Sequence, residues 1–276
     1  MPPRTRLSQA AVEQRRQDVL RCVTEHGPLR IDDLAVRFGV SLMTMHRDLD
    51  DLAGRRLLRK ERGRAVAFPA LTRETATRFR TGTALAAKTA LCAAVTGRIT
   101  SGMTVLMDDS TTLYPLTDAL ARLEGLTVVT NSVGIARRLS PAPAVEVTLL
   151  GGRYHGEFDS CTGAEVARGL SRVHADLALM SATAVMEGRL FHPLREYADV
   201  KEAMLASADR SLLLADHTKF GKTATHAHGT VEAYEAVITD TGTPADQLAA
   251  VRAMGVAVET AVPAGGGATG AAAAAE

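Results

Sequence analysis

The sequence predicts an α/β protein of two domains, in which a small basic helical domain precedes a larger one with a mostly parallel sheet. The chain has 276 residues, about twice the usual size of a single domain. Residues 1–68 carry a net charge of +5, whereas the rest of the chain carries −4. Apolar residues recur with helical spacing in the first segment, and short apolar strands alternate with helices after residue 83.

Two helices open the first domain. Apolar residues between positions 11 and 23 fall on one helical face. Gly27-Pro28 ends this helix, because Gly is a natural C-terminal cap and Pro cannot continue the helix. A second, short helix is expected over residues 31–38, where the apolar side chains again share one face.

A third helix is predicted over residues 42–55. Gly39 supplies the tight turn before it, and Ser41 is a favourable N-cap. Two helices joined by such a turn form a helix-turn-helix, whose second helix enters the major groove of DNA. The residues expected to contact DNA from this helix are Ser41, Thr44, His46 and Arg47.

Residues 57–68 predict a β-hairpin that completes a winged helix-turn-helix domain over residues 1–68. Two short apolar-flanked stretches surround a basic tip that contains glycine. Basic side chains on such a wing contact phosphates, which adds affinity but no sequence choice. The alternative for this domain is a three-helix packing module whose arginines are only solvated. The wing residues expected to contact DNA are Arg59, Lys60, Arg62 and Arg64.

The second domain is predicted over residues 83–262, after a polar linker over residues 69–82 that is helical or extended. Short apolar strands that alternate with helices indicate a largely parallel sheet covered on both faces. Residues 263–276 form a low-complexity tail that we expect to be disordered. Helices are expected near residues 84–99, 113–123, 133–139, 164–170, 200–208 and 244–254, and strands near 103–107, 126–130, 145–150, 177–180, 211–215, 236–239 and 256–259.

Polar side chains follow several of these strands. The carboxyl ends of parallel strands border the ligand crevice of such a sheet. Hydroxyls and backbone N–H groups there suit a phosphate, Asp108 and Glu196 can accept hydrogen bonds from sugar hydroxyls, and Lys201 or Lys219 can neutralise a phosphate or a ring-opened sugar oxygen. The candidate ligand residues are Asp108, Ser110, Thr111, Thr112, Thr130, Asn131, Gly151, Gly152, Glu196, Lys201, Asp216 and Lys219.

Each of these features has a plainer interpretation. The hydroxyl residues can simply cap helices, Gly151-Gly152 can form a turn, and the later charges can be exposed on a helix. One alternative function is a sugar-phosphate isomerase or deaminase-like enzyme that carries a DNA-binding domain, in which Asp108, Glu196 and Lys219 supply acid, base and electrophile. Another is a DNA-architectural protein with no ligand response.

The third helix and the wing resemble the DeoR-type family of bacterial transcriptional regulators. Residues 40–52 are similar to the family's Val-Ser-x-x-Thr-Ile-Arg-Arg-Asp-Leu signature, which a leucine and a basic wing follow. Met45 stands for the usual Ile and keeps its burial. His46 stands for the first Arg and removes a permanent cation from the reading helix, and Gly63-Arg64 stands for a Gly-Gly pair in the wing.

The resemblance covers roughly residues 10–260. The strand-end residues are similar to the family's sensor motifs Asp-x-Gly-Thr-Thr, Thr-Asn, Gly-Gly, Glu…Lys and Asp-x-Ser-Lys-Phe-Gly. Ser110 departs from them by replacing a glycine that lets the backbone approach a phosphate, and Thr218 replaces a serine. Such domains are similar in fold to phosphosugar isomerases such as ribose-5-phosphate isomerase. The resemblance implies a homo-oligomeric repressor (dimer or tetramer) of carbohydrate-metabolism genes, which binds double-stranded operator DNA and a phosphorylated sugar effector.

Several other classes of protein are excluded. No apolar run approaches the ~18–20 residues that a membrane span needs, and the basic start leads into polar residues rather than a secretory signal. The separated cysteines Cys22, Cys92 and Cys161 are expected to be buried thiols in a reducing compartment. The sequence therefore predicts a cytoplasmic protein without a membrane partner.

Two further patterns do not predict a site. Gly221-Lys222-Thr223 is similar to the end of a P-loop, but Asp216 stands where a glycine is needed. His226 and His228, together with His217, could bind a metal, but no framing Cys or carboxylate pattern surrounds them. We expect no catalytic residue, no metal and no cofactor.

Overall fold

A computed structural model of the chain describes residues 9–54, 58–67 and 77–263. The chain divides into two compact units, residues 1–80 and residues 81–276. The predicted tail lies outside the described residues except for its first position, as does most of the predicted linker. The end of that linker forms a short helix, α4 (Thr77–Gly82).

Over residues 9–54 and 58–67, the first unit consists of three helices and a small sheet. The helices are α1 (Gln9–His26), α2 (Ile31–Arg37) and α3 (Leu42–Gly54), close to the predicted bounds. Gly39 has a φ of 62° in the turn between α2 and α3, a conformation that glycine adopts without strain. The apolar faces of the three helices meet in one core, which includes Val19, Val23, Leu34, Met45, Leu49 and Leu52.

The wing is a three-stranded antiparallel sheet rather than a hairpin alone. Its strands β1 (Leu29–Arg30), β2 (Leu58–Glu61) and β3 (Arg64–Ala67) lie in the order β1-β3-β2. Arg62 and Gly63 connect β2 to β3 with φ angles of 45° and 76°, as a two-residue type I′ turn requires. β1 was not predicted, because two residues carry no periodicity.

A seven-stranded sheet forms the centre of the second unit. Every neighbouring pair of its strands is parallel, and the order along the sheet is β15-β14-β12-β9-β4-β5-β6. This confirms the predicted α/β class. The strands are β4 (Thr104–Met107), β5 (Leu126–Thr130), β6 (Val145–Leu149), β9 (Ala175–Met180), β12 (Ala208–Leu214), β14 (Ala236–Asp240) and β15 (Ala257–Ala261).

Helices cover both faces of this sheet. Val105 and Met107 point into one hydrophobic core and Leu106 into the other, as strand alternation requires. Cys22, Cys92 and Cys161 are buried thiols, as predicted. The helices α5 (Leu85–Thr96), α6 (Thr117–Leu120) and α7 (Val133–Leu139) contribute to the first core, and α8 (Ala164–Leu170), α9 (Arg195–Leu205) and α10 (Ala245–Ala253) contribute to the second.

The structure corrects two predicted helices. The helix expected over residues 113–123 is a 3-10 turn (Thr111–Leu116) that leads into the short α6, with Pro115 inside it. Pro lacks an N–H and hinders a regular α-helix at that point. The helix expected near residues 200–208 begins earlier, at Arg195.

Two small antiparallel sheets were not predicted. The hairpin of β7 (Arg153–His155) and β8 (Ser160–Thr162) follows β6. A second sheet joins β10 (Ala184–Met186), β11 (Arg189–His192) and β13 (His226–Thr230). Among the described residues, no helix combines the length and the apolar character needed to cross a bilayer.

Candidate functional site

The first turn of α3 presents polar side chains to solvent. The Thr44 backbone N–H donates to Ser41 Oγ at 3.2 Å, so Ser41 caps the helix as predicted. The hydroxyls of Ser41 and Thr44 also share a hydrogen bond of 2.8 Å. Arg47 is exposed, and Thr44 and His46 are half-buried, while Met45 faces the core. This turn therefore carries the side chains that are available to a groove.

A buried carboxylate anchors α3 to α1. Asp48 accepts hydrogen bonds from Arg15 Nε at 2.7 Å and from Arg16 Nε at 3.0 Å, and it is 2% exposed. These two arginines belong to the basic excess of residues 1–68, but their charge is used inside the unit. The positive surface that can meet DNA is therefore smaller than the sequence count indicates.

The basic side chains of the wing differ in their surroundings. Arg59 pairs with Glu61 at 2.8 Å, Lys60 pairs with Asp50, and Arg64 Nη1 donates to the Pro28 carbonyl at 3.4 Å. Arg62 is exposed at the tip of the turn and has no ion pair among the described residues. Arg62 is thus the wing cation best placed to meet a phosphate.

In the second unit, a buried ion pair lies at the carboxyl end of β4. Lys201 Nζ on α9 donates to Asp108 Oδ2 at 2.5 Å and to the Ser181 carbonyl at 3.0 Å. Their side chains are 5% and 1% exposed. Burial raises the pKa of the Asp108 carboxyl, and the nearby Lys201 ammonium opposes that rise. The charge of Lys201 is already balanced, so it does not stand ready to neutralise a phosphate.

Asp108 also orders the segment that follows it. Its Oδ1 accepts from the Ser110 N–H at 3.0 Å, and its Oδ2 accepts from the Ser181 N–H at 2.8 Å. Ser110 has φ −74° and ψ 131°, an extended conformation open to any residue. Its Oγ accepts from the Thr112 N–H at 3.3 Å. The serine thus occupies a backbone donor that glycine in this position would leave open.

A second buried lysine borders the same segment. Lys88 lies on α5, is 2% exposed, and donates from Nζ to Thr111 Oγ1 at 3.0 Å. An ammonium and a hydroxyl side by side match the oxygens of a phosphate. Lys88 was not predicted as a site residue, although a single lysine inside the apolar sequence of α5 could have indicated one.

The residues after β5 hold the β7–β8 hairpin in place. Asn131 Nδ2 donates to the Cys161 carbonyl at 2.9 Å, and the Cys161 N–H donates to the Asn131 carbonyl at 2.9 Å. Thr130 Oγ1 accepts from the Ser132 N–H at 3.0 Å. The buried Oδ1 of Asn131 has no hydrogen-bond partner among the described residues. Such a buried acceptor is unusual and points to a missing partner.

The two glycines after β6 have different surroundings. A Cβ on Gly152 would lie 2.5 Å from the Thr162 carbonyl, so only glycine lets β8 approach this closely. Gly151 has nothing within 4 Å of such a Cβ. Gly152 therefore positions the hairpin, and Gly151 is the open one of the pair.

The hairpin brings polar groups to the first turn of α9. Glu196 accepts from Thr162 Oγ1 at 3.1 Å, and Thr162 Oγ1 lies 2.8 Å from His155 Nε2. The Glu196 side chain is 37% exposed, and Arg153 approaches it at 4.0 Å. Glu196 is therefore an accessible carboxylate, whereas Lys201, one and a half turns later, is buried.

Tyr197 links the hairpin to the end of β4. Its hydroxyl lies 3.2 Å from Ser160 Oγ, and Ser160 Oγ donates to Asp109 Oδ2 at 3.2 Å. The tyrosine ring stacks on His192 with centroids 4.9 Å apart and packs against Phe158 at 4.8 Å. Phe158, His192 and Tyr197 thus form a cluster of aromatic rings near Asp109.

The segment after β12 is also ordered by its first residue. Asp216 Oδ1 accepts from the Thr218 N–H at 3.0 Å, and the buried Oδ2 has no partner among the described residues. Lys219 is buried in the 3-10 turn that follows. His217 Nδ1 lies 2.7 Å from Asp240 Oδ2 at the end of β14. Asp216 and Lys219 thus lie at the carboxyl edge of the sheet, as predicted.

The structure brings only part of the predicted ligand set into contact. Asp108, Ser110 and Lys201 share one hydrogen-bond network, but Glu196 and Lys201 do not pair with each other. Ser181 follows β9 in the same way that the predicted residues follow their strands, and it could have been found by that rule. The polar residues of this edge that sequence analysis missed are Lys88, Asp109, His155, Ser160, Thr162, Ser181 and Tyr197.

The histidines considered for a metal do not converge on a common site. His217 contacts Asp240, His226 is opposite His192 in the β11–β13 register, and His228 is buried. Within the described ranges, no three His, Cys, Asp or Glu side chains are grouped so that they could hold a metal ion.

A winged helix-turn-helix followed by a separate α/β unit is the organisation of a DNA-binding transcriptional regulator with a sensor domain. Residues 15–69 match the family model of the DeoR-like helix-turn-helix domain, and residues 83–241 match that of the DeoR C terminal sensor domain. The chain belongs to the DeoR family of transcriptional regulators.

Curated relatives match almost the whole chain. The HTH-type transcriptional repressor CsqR of Escherichia coli K12 is 30% identical over 87% of this chain and 92% of its own. The glycerol-3-phosphate regulon repressor of the same strain is 27% identical over 84% and 92%. The transcriptional repressor AccR of Agrobacterium fabrum is 27% identical over 84% and 91%.

Similarity to solved structures is weaker. Ribose 5-phosphate isomerase from Plasmodium falciparum is 12% identical over 49% of this chain and 52% of its own, with a TM-score of 0.35. The translation initiation factor eIF-2B of Pyrococcus horikoshii is 15% identical over 81% and 78%, with a TM-score of 0.39. Values this low carry no inference about activity.

Proposed function

We propose that this protein is a repressor of carbohydrate-metabolism genes that binds operator DNA and releases it when a phosphorylated sugar binds at the carboxyl edge of the seven-stranded sheet. The observation that carries the proposal is the family membership of both units, joined to a cluster of polar residues at the carboxyl ends of the strands in the second. The named relatives include a glycerol-3-phosphate regulon repressor, which supports a phosphorylated effector.

In this proposal α3 lies in the major groove. Ser41, Thr44, His46 and Arg47 face the bases and the adjacent phosphates, since they are polar, are not buried and lie at or near the N-terminal end of α3. Arg62 at the wing tip contacts the phosphate backbone. Further phosphate contacts come from Arg59, Lys60 and Arg64, which first release their present hydrogen-bond and ion-pair partners. His46 is shorter than arginine and reads a different base edge from the one that arginine prefers.

The phosphate of the effector is proposed to lie beside Lys88 and the hydroxyls of Thr111 and Thr112. The ammonium of Lys88 is buried next to Thr111, so an anion there interacts in a medium of low polarity, where attraction is strong. The sugar then extends toward Glu196, whose exposed carboxylate accepts hydrogen bonds from hydroxyl groups.

The predicted homo-oligomer is supported by α5. Most residues of this helix are apolar, and its exposed side includes Leu85, Ala86 and Ala93, with Leu85 at 54%. A helix that is apolar on most of its surface is normally covered on more than one side. A groove of about 380 Å³ lies along the same face, between α5 and the segment that contains Pro115. We propose that a second copy of the chain covers this face, and Ala93→Glu is expected to convert the oligomer to monomers in sedimentation velocity.

The second candidate function is that of an enzyme, and the surroundings of Asp108 do not favour it. Asp108 would have to act as an acid or base, but its side chain is 1% exposed and its Oδ2 already accepts from Lys201 and the Ser181 N–H. A general base must lie within hydrogen-bond reach of the substrate. We expect no turnover of sugar phosphates, and turnover that Glu196→Gln abolishes would support the enzyme instead.

The direct test is fluorescence anisotropy with the full chain and labelled DNA from upstream of its own gene. The titration is run near physiological salt with random DNA as competitor, because non-specific affinity depends steeply on salt. Ribose 5-phosphate, fructose 6-phosphate, glucosamine 6-phosphate and glycerol 3-phosphate are then added singly. We expect selective binding that one of these compounds weakens at least tenfold.

The controls separate the two units. Arg47→Ala is expected to weaken operator binding by about tenfold, and Lys88→Met is expected to bind operator but to ignore the effector. Selective binding that no sugar phosphate alters would refute the sensor part of the proposal. Equal binding to operator and random DNA would refute the regulator part.

A further inference from the structure

One buried side chain near the candidate site has no hydrogen-bond partner for its ring among the described residues. His228 lies on β13 and is 2% exposed. Neither of its ring nitrogens has a hydrogen-bond partner among the described residues. A buried imidazole normally donates from one nitrogen and accepts at the other, and leaving both unpaired destabilises the folded state.

The imidazole stays neutral in this position. Burial, acting together with the nearby Lys201 and His192, lowers its pKa to about 3. A neutral ring offers one donor and one acceptor, which point in different directions. A hydroxyl group can pair with either nitrogen, since a hydroxyl both donates and accepts.

His228 is linked to the candidate site by the elements that pack around it. The helix α9, which carries Tyr197 and Lys201, packs against β13. On the neighbouring strand β11, His192 stacks on the Tyr197 ring. The segment that contains Lys219 is joined to the same small sheet, because the Lys222 N–H donates to the Val185 carbonyl at 3.2 Å. Lys201 and His192 also lie close enough to act on the imidazole electrostatically, so His228 belongs to the same group of residues.

We propose that His228 is a specificity-determining residue of the effector site, which hydrogen-bonds a sugar hydroxyl at the end of the ligand remote from the phosphate. This inference rests on the proposed function, because it assigns a role within the same phosphosugar site. It places the hydroxyl end of the effector toward Lys201 and His228 and the phosphate end toward Lys88.

The charges around His228 favour a hydroxyl over a phosphate at this position. The Lys201 ammonium is neutralised by Asp108, so no net positive charge remains for an anion. A phosphate beside the buried Asp108 would also meet a like charge, which is costly in a dry site. Lys88 and Thr111 offer the better phosphate position.

The test uses three variants of the full chain. His228→Leu removes both nitrogens at similar volume, and His228→Gln keeps a donor and an acceptor. His174→Leu is the control, because His174 is exposed and pairs with Asp209 at the opposite edge of the sheet. For each protein, operator release is titrated with ribose 5-phosphate and 2-deoxyribose 5-phosphate, and with glucose 6-phosphate and 2-deoxyglucose 6-phosphate. The thermal midpoint is measured without ligand.

We expect His228→Leu to bind operator normally but to require at least tenfold more of the active sugar phosphate for release, with less discrimination against deoxy analogues. His228→Gln is expected to recover part of that loss. Without ligand, the thermal midpoint of His228→Leu should rise by about 2–4 °C, because an unpaired buried group has been removed. His174→Leu is expected to match the wild type in both measurements.

Two results would overturn this inference alone, and a third would also overturn the proposed sensor function. If the wild type responds to a sugar phosphate and His228→Leu responds equally, His228 does not contact the effector. If His228→Leu unfolds more readily and its effector response is unchanged, the imidazole is held by a buried water and has a structural role only. If the wild type responds to none of the probes, the proposed sensor function fails together with the inference.

Discussion

The two units of this chain place their charged side chains in opposite ways. In the first unit the candidate contact residues, such as Arg47 and Arg62, are exposed and have no ion pair among the described residues. In the second unit the central charges, Asp108 and Lys201, are buried and paired with each other. A surface that meets a polyanion needs free cations, whereas a site for a small ligand needs fixed groups in a dry crevice.

This difference predicts what a substitution does in each unit. A change at an exposed cation should affect binding and leave stability alone, because the side chain was solvated before. A change in the buried network should affect stability as strongly as binding, since it leaves a partner uncompensated. The following substitutions test that division in order of decreasing expected effect.

Lys201→Met should be the most damaging. It leaves the buried Asp108 carboxylate without its cation, and we expect a loss of about 3–5 kcal/mol in the free energy of unfolding. Chemical denaturation monitored by circular dichroism measures it. The double variant Asp108→Asn/Lys201→Met removes both charges and should recover a large part of the loss. Equal stability of Lys201→Met and wild type would contradict the view that the second unit depends on its buried charge pair.

Acid should destabilise the second unit through His228. Its folded-state pKa of about 3 lies below the unfolded value of about 6.5, so the unfolded chain binds a proton first as the pH falls. The stabilising contribution is complete above pH 6.5 and declines by about 1.4 kcal/mol per pH unit toward pH 3. Between pH 6.5 and 4.5 the wild type should therefore lose about 2–3 kcal/mol more than His228→Leu. Parallel losses in the two proteins would contradict the assignment.

Arg47→Ala should weaken operator binding by about tenfold and change the free energy of unfolding by less than about 0.5 kcal/mol. Arg47 is exposed on α3 and has no ion pair among the described residues. Anisotropy and thermal denaturation measure the two effects. Arg252→Ala, at an exposed position on α10, is the matched control and should change neither. A large loss of stability in Arg47→Ala would show that the first unit also depends on this charge.

Ser110→Gly should have the smallest effect, and its sign is informative. The substitution releases the Thr112 N–H from Ser110 Oγ and so opens a donor for a phosphate oxygen. We expect effector affinity to rise about threefold, which is the value of a modest hydrogen bond. Titration of operator release with the active sugar phosphate measures it. A fall in affinity would indicate that the serine hydroxyl itself contacts the ligand.

The helices and strands of both units follow from sequence patterns to a large extent. The third helix of the first unit and the strand over Leu126–Thr130 lie where apolar periodicity and capping residues predict them. The small sheets did not follow, because the strands over Arg153–His155 and Ala184–Met186 have three residues each and no alternation. Their position depends on tertiary contacts such as the close approach of Gly152 to Thr162.

The position of the candidate site was predictable from the sequence, but the ion pairs within it were not. The rule that ligands lie at the carboxyl ends of parallel strands located Asp108 and Asn131. That Lys201 neutralises Asp108 could not be read from the sequence, since 93 positions separate them and Glu196 was the nearer partner along the chain. The same limit hid the use of Arg15 and Arg16 by Asp48. Long-range pairing decides which charges remain for a ligand.

The central claim is that ligand occupancy of the second unit and DNA binding by the first are coupled. Linkage requires that if a sugar phosphate weakens operator binding by a given factor, operator DNA weakens sugar phosphate binding by the same factor. Isothermal titration calorimetry of the active sugar phosphate, with and without saturating operator, measures this directly. We predict a dissociation constant raised at least tenfold by operator DNA, matching the anisotropy result. An unchanged dissociation constant would contradict the account, because the ligand would then bind both states equally.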